Sequence, residues 1–190
     1  MPILGEEPDM FPETILELPD EPDTQWWAMY TRSRQEKQLM RKLRELEVGH
    51  YSPVISRRYK SPAGRLRTTH LPLFANYVFV RGTGESRYQA VSTGCVSRCI
   101  DIADPTQLVT DLQQIHALIE TGAALAPEER LEPGDLVRVK SGPFNGFEGT
   151  VVQRDGQRRL IVAVRFMNQG ASAVLDDCQL EFLGKSTPAK

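Results

Sequence analysis

The segment Gly134–Val152 reads GDLVRVKSGPFNGFEGTVV, and in it short β-branched runs alternate with residues that form turns. Breaks at Ser141–Pro143 and Asn145-Gly146 separate the runs, and Asp155-Gly156 then stands between TVVQR and RRLIVAV. Asp-Gly flanked by two such runs is a strong hairpin signal, because the tightest hairpin turn requires positive φ at both central residues. Four or five short strands within about 50 residues predict a small closed β-barrel.

The residues before this segment combine strand and helix signals. Trp26–Thr31 is an aromatic run that suits a buried strand, and Leu73–Arg81 is a nearly continuous apolar run typical of a central strand. Arg34–Val48 carries apolar residues at helical spacing. The remaining segments are a predicted hairpin (Tyr51–Lys60 and Arg65–Leu71), a short helix (Ser86–Ser92), a strand (Cys95–Ile102) and a helix from Pro105 to a stop at Gly122. This order predicts an α+β fold, a ferredoxin-like sandwich followed by a small SH3-like β-barrel.

Composition predicts the domain boundaries. Residues 1–24 contain five prolines among acidic residues and have little to bury, so we expect a disordered acidic arm. The α+β domain then covers residues 25–122, the linker AALAPEERLEP residues 123–133, the barrel residues 134–183, and a disordered tail residues 184–190. A barrel of about 50 residues has a small core and should be only marginally stable alone.

The net charge of −2 conceals a segregation of charge along the chain. Residues 1–25 hold eight acidic side chains and no basic ones, whereas residues 26–100 hold fourteen Lys and Arg against four Glu. A basic segment of this kind can meet phosphates, although it can also be an ordinary solvated face. The acidic arm could screen the basic segment until a nucleic acid displaces it, or it could serve only as a solubilising tail.

Other features of the sequence disfavour several functional classes. No apolar run approaches the roughly 18 residues that a membrane span needs, and the first residues do not resemble a secretory signal. Three cysteines, an odd number, fit a reducing compartment, so we expect a cytoplasmic protein without a membrane partner. The cysteines and histidines lack the spacing of a zinc site or a catalytic triad. We therefore expect no catalytic residue, metal or cofactor, and no enzymatic activity.

The strand PLFANYVFV at residues 72–80 follows WWAMY at residues 26–30 and precedes the Gly-rich barrel segment by a short linker. This combination resembles the NusG family of transcription elongation and antitermination factors over residues 26–183. Within it, residues 134–152 resemble the KOW motif, and the form of the PLFANYVFV strand is similar to the specialised RfaH-type members. The resemblance implies a monomeric factor that binds RNA polymerase, suppresses pausing or modulates termination, and recruits a second partner through the barrel.

In this family the first domain grips the clamp helices of the polymerase β′ subunit through an aromatic patch. The positions that match this patch are Trp27, Tyr30, Phe74, Tyr77 and Phe79. Some of them could instead fill the core, because Tyr77 and Phe79 share one face of their strand while Val78 and Val80 share the other. A further contact, to the gate loop of the polymerase β subunit, would fall near Thr83–Gln89.

The basic side of the same domain lies near upstream DNA and the non-template strand in this family. The matching residues, on the first helix and the hairpin after it, are Arg32, Arg34, Lys37, Arg41, Arg57, Arg58, Lys60, Arg65 and Arg67. Such contacts would be mostly to phosphate and strongly dependent on salt. The stretch Thr93–Val96 lacks the arginine that RfaH-type members place after their threonine, so base-specific recruitment is not predicted.

The barrel in this family docks a small-subunit ribosomal protein or the termination factor Rho. The loop that matches the docking edge contains Phe166, Met167, Asn168 and Gln169. Phe144 is a further candidate for surface contact, whereas Phe147 is expected in the core. NusG has an aromatic residue where this chain has Met167, so the resemblance does not name the partner. The turn residues and Val-rich runs favour a plain barrel over the helical hairpin that RfaH-type barrels can form.

An alternative interpretation remains open at this stage. KOW motifs also occur in some ribosomal proteins, and the basic hairpin could bind RNA directly. The chain would then be an RNA-binding or ribosome-associated KOW protein, with tight RNA binding that needs no polymerase.

Overall fold

The computed structural model describes residues 7–176 and 178–186. The chain divides into two compact units, Met1–Pro105 and Thr106–Lys190, and each contains its own main antiparallel sheet. The first unit is a ferredoxin-like α+β sandwich and the second carries a small SH3-like β-barrel, so the predicted fold class is confirmed.

The first unit has a five-stranded sheet, a separate hairpin and two helices among its described residues. In chain order its elements are β1 (Met10–Phe11), β2 (Gln25–Thr31), α1 (Glu36–Glu45), β3 (Gly49–Tyr51), β4 (Val54–Lys60), β5 (Leu66–Pro72), β6 (Tyr77–Gly82), α2 (Gly84–Ser92) and β7 (Val96–Asp101). The sheet order is β1-β3-β6-β2-β7, and β4 pairs only with β5. The strands β3-β6-β2-β7 have the order of a βαββαβ unit, into which the β4–β5 hairpin is inserted.

Both helices cover one face of this sheet. The central strands send alternate side chains to that face, where Trp27, Met29, Val78 and Val80 join one buried cluster. From α1 the apolar residues at helical spacing complete the same cluster, and they are Leu39, Met40 and Leu43. Burying each large apolar side chain stabilises the fold by about 1.5–3 kcal/mol. Because side chains alternate along a strand, the remaining side chains of β2, β6 and β7 lie on the opposite face of the sheet.

The predicted disorder of the N-terminal arm is wrong for the part that the structure describes. Met10–Phe11 extends the sheet as β1, and Met10, Ile15 and Leu16 are buried. Arg81 donates a hydrogen bond to the carbonyl of Pro19, which fixes the far end of the arm. Composition suggested disorder because apolar residues are sparse in the arm. The few that are present pack against the sheet edge formed by β3 of the same chain. Residues 1–6 lie outside the described residues.

The second unit begins with one α-helix, and a six-stranded sheet follows it. Its elements are α3 (Pro105–Glu120), β8 (Ala126–Glu128), β9 (Gly134–Val139), β10 (Glu148–Arg154), β11 (Gln157–Val164), a 3₁₀ turn (Arg165–Met167), β12 (Gln169–Val174) and β13 (Leu180–Ser186). The sheet order is β13-β9-β10-β11-β12-β8. Asp155 and Gly156 both have positive φ at the β10–β11 turn, as the Asp-Gly signal predicts.

Three boundaries of the predicted domains differ from the structure. The linker expected at residues 123–133 contains β8, which pairs with β12, and Arg154 binds the buried carboxylate of Glu128 at 2.8 Å. The tail expected at residues 184–190 begins inside β13, while residues 187–190 lie outside the described residues. Helix α3 falls in the second compact unit, although the sequence groups it with the first domain. Pro and Glu are depleted in strands, so the linker composition did not indicate β8. The partner of β8 lies about 45 residues later in the chain, and local sequence patterns do not reveal such a pairing.

The barrel needs small residues where its strands approach closely. A Cβ at Gly149 would collide with the carbonyl oxygen of Ile161, and a Cβ at Gly170 would collide with the carbonyl of Val162. These glycines are therefore needed for close packing between strands. The candidate contact residues of the barrel lie instead in its turns and loops.

His50 lies in β3 as a buried neutral imidazole. Its Nδ1 is 2.9 Å from the carbonyl of Val48, and its ring stacks on Phe11 at 6.2 Å. The Nε2 atom has no hydrogen-bond partner among the described residues. Burial lowers the pKa of His50 from 6.5 to about 4, the hydrogen bond to Val48 opposes this shift, and the nearby Arg44 charge adds to it.

The buried imidazole predicts a loss of stability in mild acid. The unfolded chain takes up a proton at the ordinary pKa of 6.5, whereas the folded chain resists it until about 4. Stability is therefore full above pH 6.5 and falls as the pH drops towards 4, by up to about 3 kcal/mol from this residue. Urea unfolding at several pH values should show this extra slope in the wild type and lose it in His50→Gln. A His70→Gln control should keep the slope, and an unchanged slope in His50→Gln would contradict the assignment.

Candidate functional surfaces

A row of three side chains crosses the sheet face opposite α1 and α2. Tyr30 of β2 lies directly opposite Tyr77 of β6 on one side and Arg98 of β7 on the other. The two tyrosine rings meet edge to face at 5.2 Å, and the Arg98 guanidinium carbon is 5.5 Å from the centre of the Tyr30 ring. We call these three residues the tyrosine row. Both tyrosines are half-buried and Arg98 is exposed, so the row presents aromatic area and one cation at the surface.

The turn before Tyr77 is fixed by a buried carboxylate. Glu36, at the start of α1, accepts a hydrogen bond of 2.7 Å from the backbone N–H of Asn76, which has a φ of 66°. Partial burial and the neighbouring Tyr30 raise the pKa of the Tyr77 hydroxyl, while Arg98 lowers it to a smaller extent. Tyr77 therefore stays a neutral phenol that can both donate and accept a hydrogen bond at its tip.

The other predicted aromatic contacts are buried in this structure. Trp27 belongs to the cluster under the helices at 4% exposure, and Phe74 and Phe79 are 2% and 0% exposed. Strand alternation explains Trp27, because it points away from the face that holds Tyr30. Phe79 shares the face of Tyr77 and stacks beside it at 6.5 Å, but it is fully buried and does not reach solvent.

The β4–β5 hairpin carries a dense positive charge. No acidic residue occurs between Glu47 and Glu85, and the hairpin holds Arg57, Arg58, Lys60, Arg65 and Arg67, all of them exposed. The register divides them between two faces. Arg57, Tyr59 and Arg67 share one face, with Tyr59 directly opposite Arg67, while Arg58 and Lys60 point to the other. Tyr59 is 45% exposed, so one face combines two guanidinium groups with an aromatic ring.

Of the four remaining candidates of the predicted nucleic-acid set, Arg41 is exposed near the middle of α1 and the other three lie at its start. Arg32 and Arg34 are exposed in the turn before the helix, and Lys37 is half-buried in its first turn. Thr83, the start of the segment expected near a gate loop, caps the N-terminus of α2 by accepting a hydrogen bond from Ser86.

The predicted docking loop of the barrel forms a short 3₁₀ turn at Arg165–Met167. Phe166 is exposed at 36%, Met167, Asn168 and Gln169 are half-buried, and Asn168 has the left-handed φ of 53°. Phe144 and Phe147 reverse their expected burial, since Phe144 is 4% exposed and Phe147 is half-buried. The two rings meet edge to face at 6.3 Å, so Phe144 fills the core and Phe147 covers it.

A buried carboxylate on α3 fixes the start of this loop. Asp111 is 1% exposed and accepts hydrogen bonds of 2.9 Å from the backbone N–H of Arg165, from Arg165 Nη1 and from Gln107 Nε2. The charge of Asp111 is thereby matched by a guanidinium and by two further donors, as a buried carboxylate requires.

The described residues contain no group of three or more His, Cys, Asp and Glu side chains that could hold a metal ion. Among them there is also no helix long and apolar enough to cross a membrane.

Two family models match the chain. The family described as "Transcription termination factor nusG" matches residues 24–122, which is more than half of the chain, and the KOW motif matches residues 133–165. The chain belongs to the NusG family. The NusG match ends at the C-terminus of α3 and begins just before β2, so the tyrosine row and the hairpin lie inside it and the N-terminal arm lies outside it.

Curated relatives agree with the family models. The NusG transcription termination/antitermination protein of Yersinia pestis is 37% identical over 68 residues, covering 35% of this chain and 38% of that protein. The same protein of Buchnera aphidicola subsp. Baizongia pistaciae is 29% identical over 130 residues, covering 63% of this chain and 70% of that protein. The matched part thus spans about 38% of the length of most of the first relatives. The solved structure described as "Domain interaction in Thermotoga maritima NusG" is similar with 20% identity and a TM-score of 0.45, over 80% of this chain and 93% of that one.

Sequence reasoning missed three residues that shape these surfaces in this NusG family member. Arg98 stood in a strand whose register was unknown, and Asp111 looked like an ordinary helical acid. Glu36 carried one usable signal, because an acidic side chain in the first turn of a helix is well placed to accept a hydrogen bond from a nearby backbone N–H. The contacts of Arg98 and Asp111 carry no local signature.

The Asp111 network predicts a measurable loss of stability. Asp111→Asn keeps the shape but removes the charge opposite Arg165, and should lower the free energy of unfolding by roughly 1–3 kcal/mol. Hydrogen exchange should also quicken at the Arg165 amide. The exposed Glu120→Gln on the same helix is the control and should change stability by less than about 0.5 kcal/mol. Equal stability of the two variants would contradict a structural role for the Asp111 network.

Proposed function

We propose that this protein is a transcription elongation and antitermination factor that binds RNA polymerase through the tyrosine row. The clamp helices of the β′ subunit are the proposed contact, and the bound factor suppresses pausing or modulates termination. Membership of the NusG family supports the general activity, and the curated relatives are named as termination/antitermination proteins. The observation that supports this surface is the row itself, in which two half-buried tyrosines lie beside an exposed arginine on the sheet face opposite α1 and α2.

The tyrosine row has the properties of an energetic hot spot. Tyrosines offer large, rigid contact area with a polar tip, and arginine is similarly enriched at such sites. Glu36 fixes the backbone at Asn76 and Phe79 packs against the Tyr77 ring, so little side-chain freedom of Tyr77 would be lost on binding. A factor that favours a closed clamp must bind that state more tightly than the open one.

Replacing both tyrosines tests the polymerase contact. Tyr30→Ala together with Tyr77→Ala should weaken binding to core RNA polymerase at least tenfold, since each truncation at a hot spot costs about 1–2 kcal/mol. Fluorescence anisotropy with labelled factor gives the Kd. Phe182→Ala is the control, because Phe182 is an aromatic residue 61% exposed on β13 and lies outside every proposed contact. If the double variant binds as tightly as the control, the row is not the contact.

The β4–β5 hairpin is proposed to touch upstream or non-template DNA while the factor is on polymerase. Its five cations have no acidic neighbour in sequence, and phosphate contacts would position the factor without reading bases. The face with Arg57, Tyr59 and Arg67 is the better candidate, because a ring and two guanidinium groups on one face can contact both sugar and phosphate.

Salt dependence tests which hairpin face is used. Arg57→Gln with Arg67→Gln should lower the slope of log Kd against log salt for a labelled DNA duplex by roughly 2, about one for each lost phosphate contact. Arg58→Gln with Lys60→Gln removes the same charge from the other face and should lower it less. Equal slopes in the two double variants would mean that binding does not distinguish the faces.

The barrel is proposed to recruit a second partner, a small-subunit ribosomal protein or Rho, through the 3₁₀ turn and the residues after it. Exposed Phe166 and the half-buried Met167, Asn168 and Gln169 form the accessible edge. The charge of the hairpin favours a second candidate function, an RNA-binding or ribosome-associated KOW protein. A pull-down from lysate at moderate salt separates the two functions, because the first predicts polymerase and the second predicts ribosomes or RNA without polymerase.

A further inference from the structure

The first described residues of the arm bind the outer side of α1. The Glu7 carboxylate accepts hydrogen bonds from Arg41 at 2.8 Å for Nε and 2.5 Å for Nη2, and Arg44 Nη2 lies 3.5 Å from Glu7 Oε2. Arg44 Nη1 also donates to the carbonyl of Pro8 at 2.7 Å. Hydrogen bonding from Arg41 holds the pKa of Glu7 below its ordinary value, with the charges of Lys37 and Arg44 adding to the effect and burial opposing it.

Lys37, Arg41 and Arg44 form one basic ridge along α1, since they are spaced by four and three residues. We call these three residues the α1 ridge. The helix has two acidic residues of its own. Glu36 is buried and accepts from Asn76, and Glu45, one turn after Arg41, forms no ion pair with the ridge among the described residues. The carboxylate that pairs with the ridge therefore comes from the arm.

The arm has one part that is anchored to the sheet and a tip that is held by fewer contacts. The anchor is β1, the hydrogen bond from Ser52 to the carbonyl of Asp9, and the buried side chains of Ile15 and Leu16. The tip is held by the ion pairs of Glu7 and by the hydrogen bond from Arg44 to the carbonyl of Pro8, and the side chains of Glu7, Arg44 and Arg41 are 17%, 23% and 43% exposed. Partly exposed ion pairs contribute little stability and are screened by salt. The tip can thus leave the ridge while the anchor stays on the sheet.

A guanidinium fork binds carboxylate and phosphate oxygens with the same bidentate geometry. We propose that Arg41 and Arg44 are a binding site for a nucleic-acid phosphate, and that Glu7 occupies this site as a built-in competitor. Exposed Arg32 and Arg34 continue the positive charge towards the start of α1. This inference rests on the proposed nucleic-acid contact and adds its regulation, because the acidic arm must be displaced before the α1 ridge can bind.

Competition predicts that removal of the Glu7 charge strengthens DNA binding by the full-length chain. Glu7→Gln should bind a fluorescein-labelled 20-base-pair duplex about three- to fivefold more tightly than wild type at low salt, the factor that one surface ion pair can supply. Glu13→Gln is the matched control, because Glu13 is an exposed acid of the same arm and the same charge is removed. A general charge effect would raise the affinity of both variants equally, and that result would overturn the proposal.

A second pair of variants locates the site. Adding Arg41→Gln and Arg44→Gln to Glu7→Gln should abolish the gain, whereas the same two changes should weaken wild-type binding less, because Glu7 already competes there. If the gain survives without both arginines, the ridge is not the site. Thermal unfolding of each variant checks that the arm remains folded.

A direct readout follows the carboxylate. Carboxyl-labelled NMR of the wild type should show that saturating duplex raises the pKa of Glu7 towards its ordinary value, since phosphate has replaced it on Arg41. An unchanged Glu7 pKa in the DNA complex would overturn the proposal even if DNA binds. Failure of this competition is distinguishable from failure of the proposed function, because polymerase binding and its loss on Tyr30→Ala with Tyr77→Ala are measured separately and do not involve Glu7.

Discussion

The alternation of side chains along β2 is the constraint on which the first unit depends. Trp27 and Met29 point to the helices and fill the cluster that joins sheet to α1 and α2. The same alternation turns Tyr30 to the opposite face, where cross-strand pairing places it between Tyr77 and Arg98. A shift of β2 by one residue would exchange the two sets and destroy core and surface together. The buried core and the proposed recognition surface therefore depend on one strand register.

Buried carboxylates act as fixed points in both units. Glu36 secures the turn that leads to Tyr77, and Asp111 secures the turn that leads to Phe166. In each case the carboxylate accepts a backbone N–H next to a candidate contact residue, so the recognition side chain is held by an interaction behind the surface. Glu7 differs from them in being partly exposed and paired with partly exposed arginines. An acid in such a position can exchange with another anion, whereas Glu36 and Asp111 are structural.

The sequence predicted much of the fold because its strongest signals are local. Asp155-Gly156 specified its own hairpin turn, and the apolar run within Leu73–Arg81 marked a central strand. It did not predict β8, because Ala126–Glu128 looks like linker until β12 pairs with it. The structured arm was missed for the same reason, since Met10, Ile15 and Leu16 become a core only against the edge of the sheet.

For the candidate surfaces, the sequence by itself determined the residue types, the family resemblance and the segments on which contacts could lie. Only the tertiary structure decided which aromatic residues are exposed, placing Tyr30 and Tyr77 at the surface and burying Trp27, Phe74 and Phe79. It also brought Asp111 to Arg165 across 54 residues and Glu7 to Arg41 across 34. The physical reason is that exposure and ion pairing depend on which distant residue arrives at the same place, whereas turn chemistry and strand periodicity are properties of neighbours.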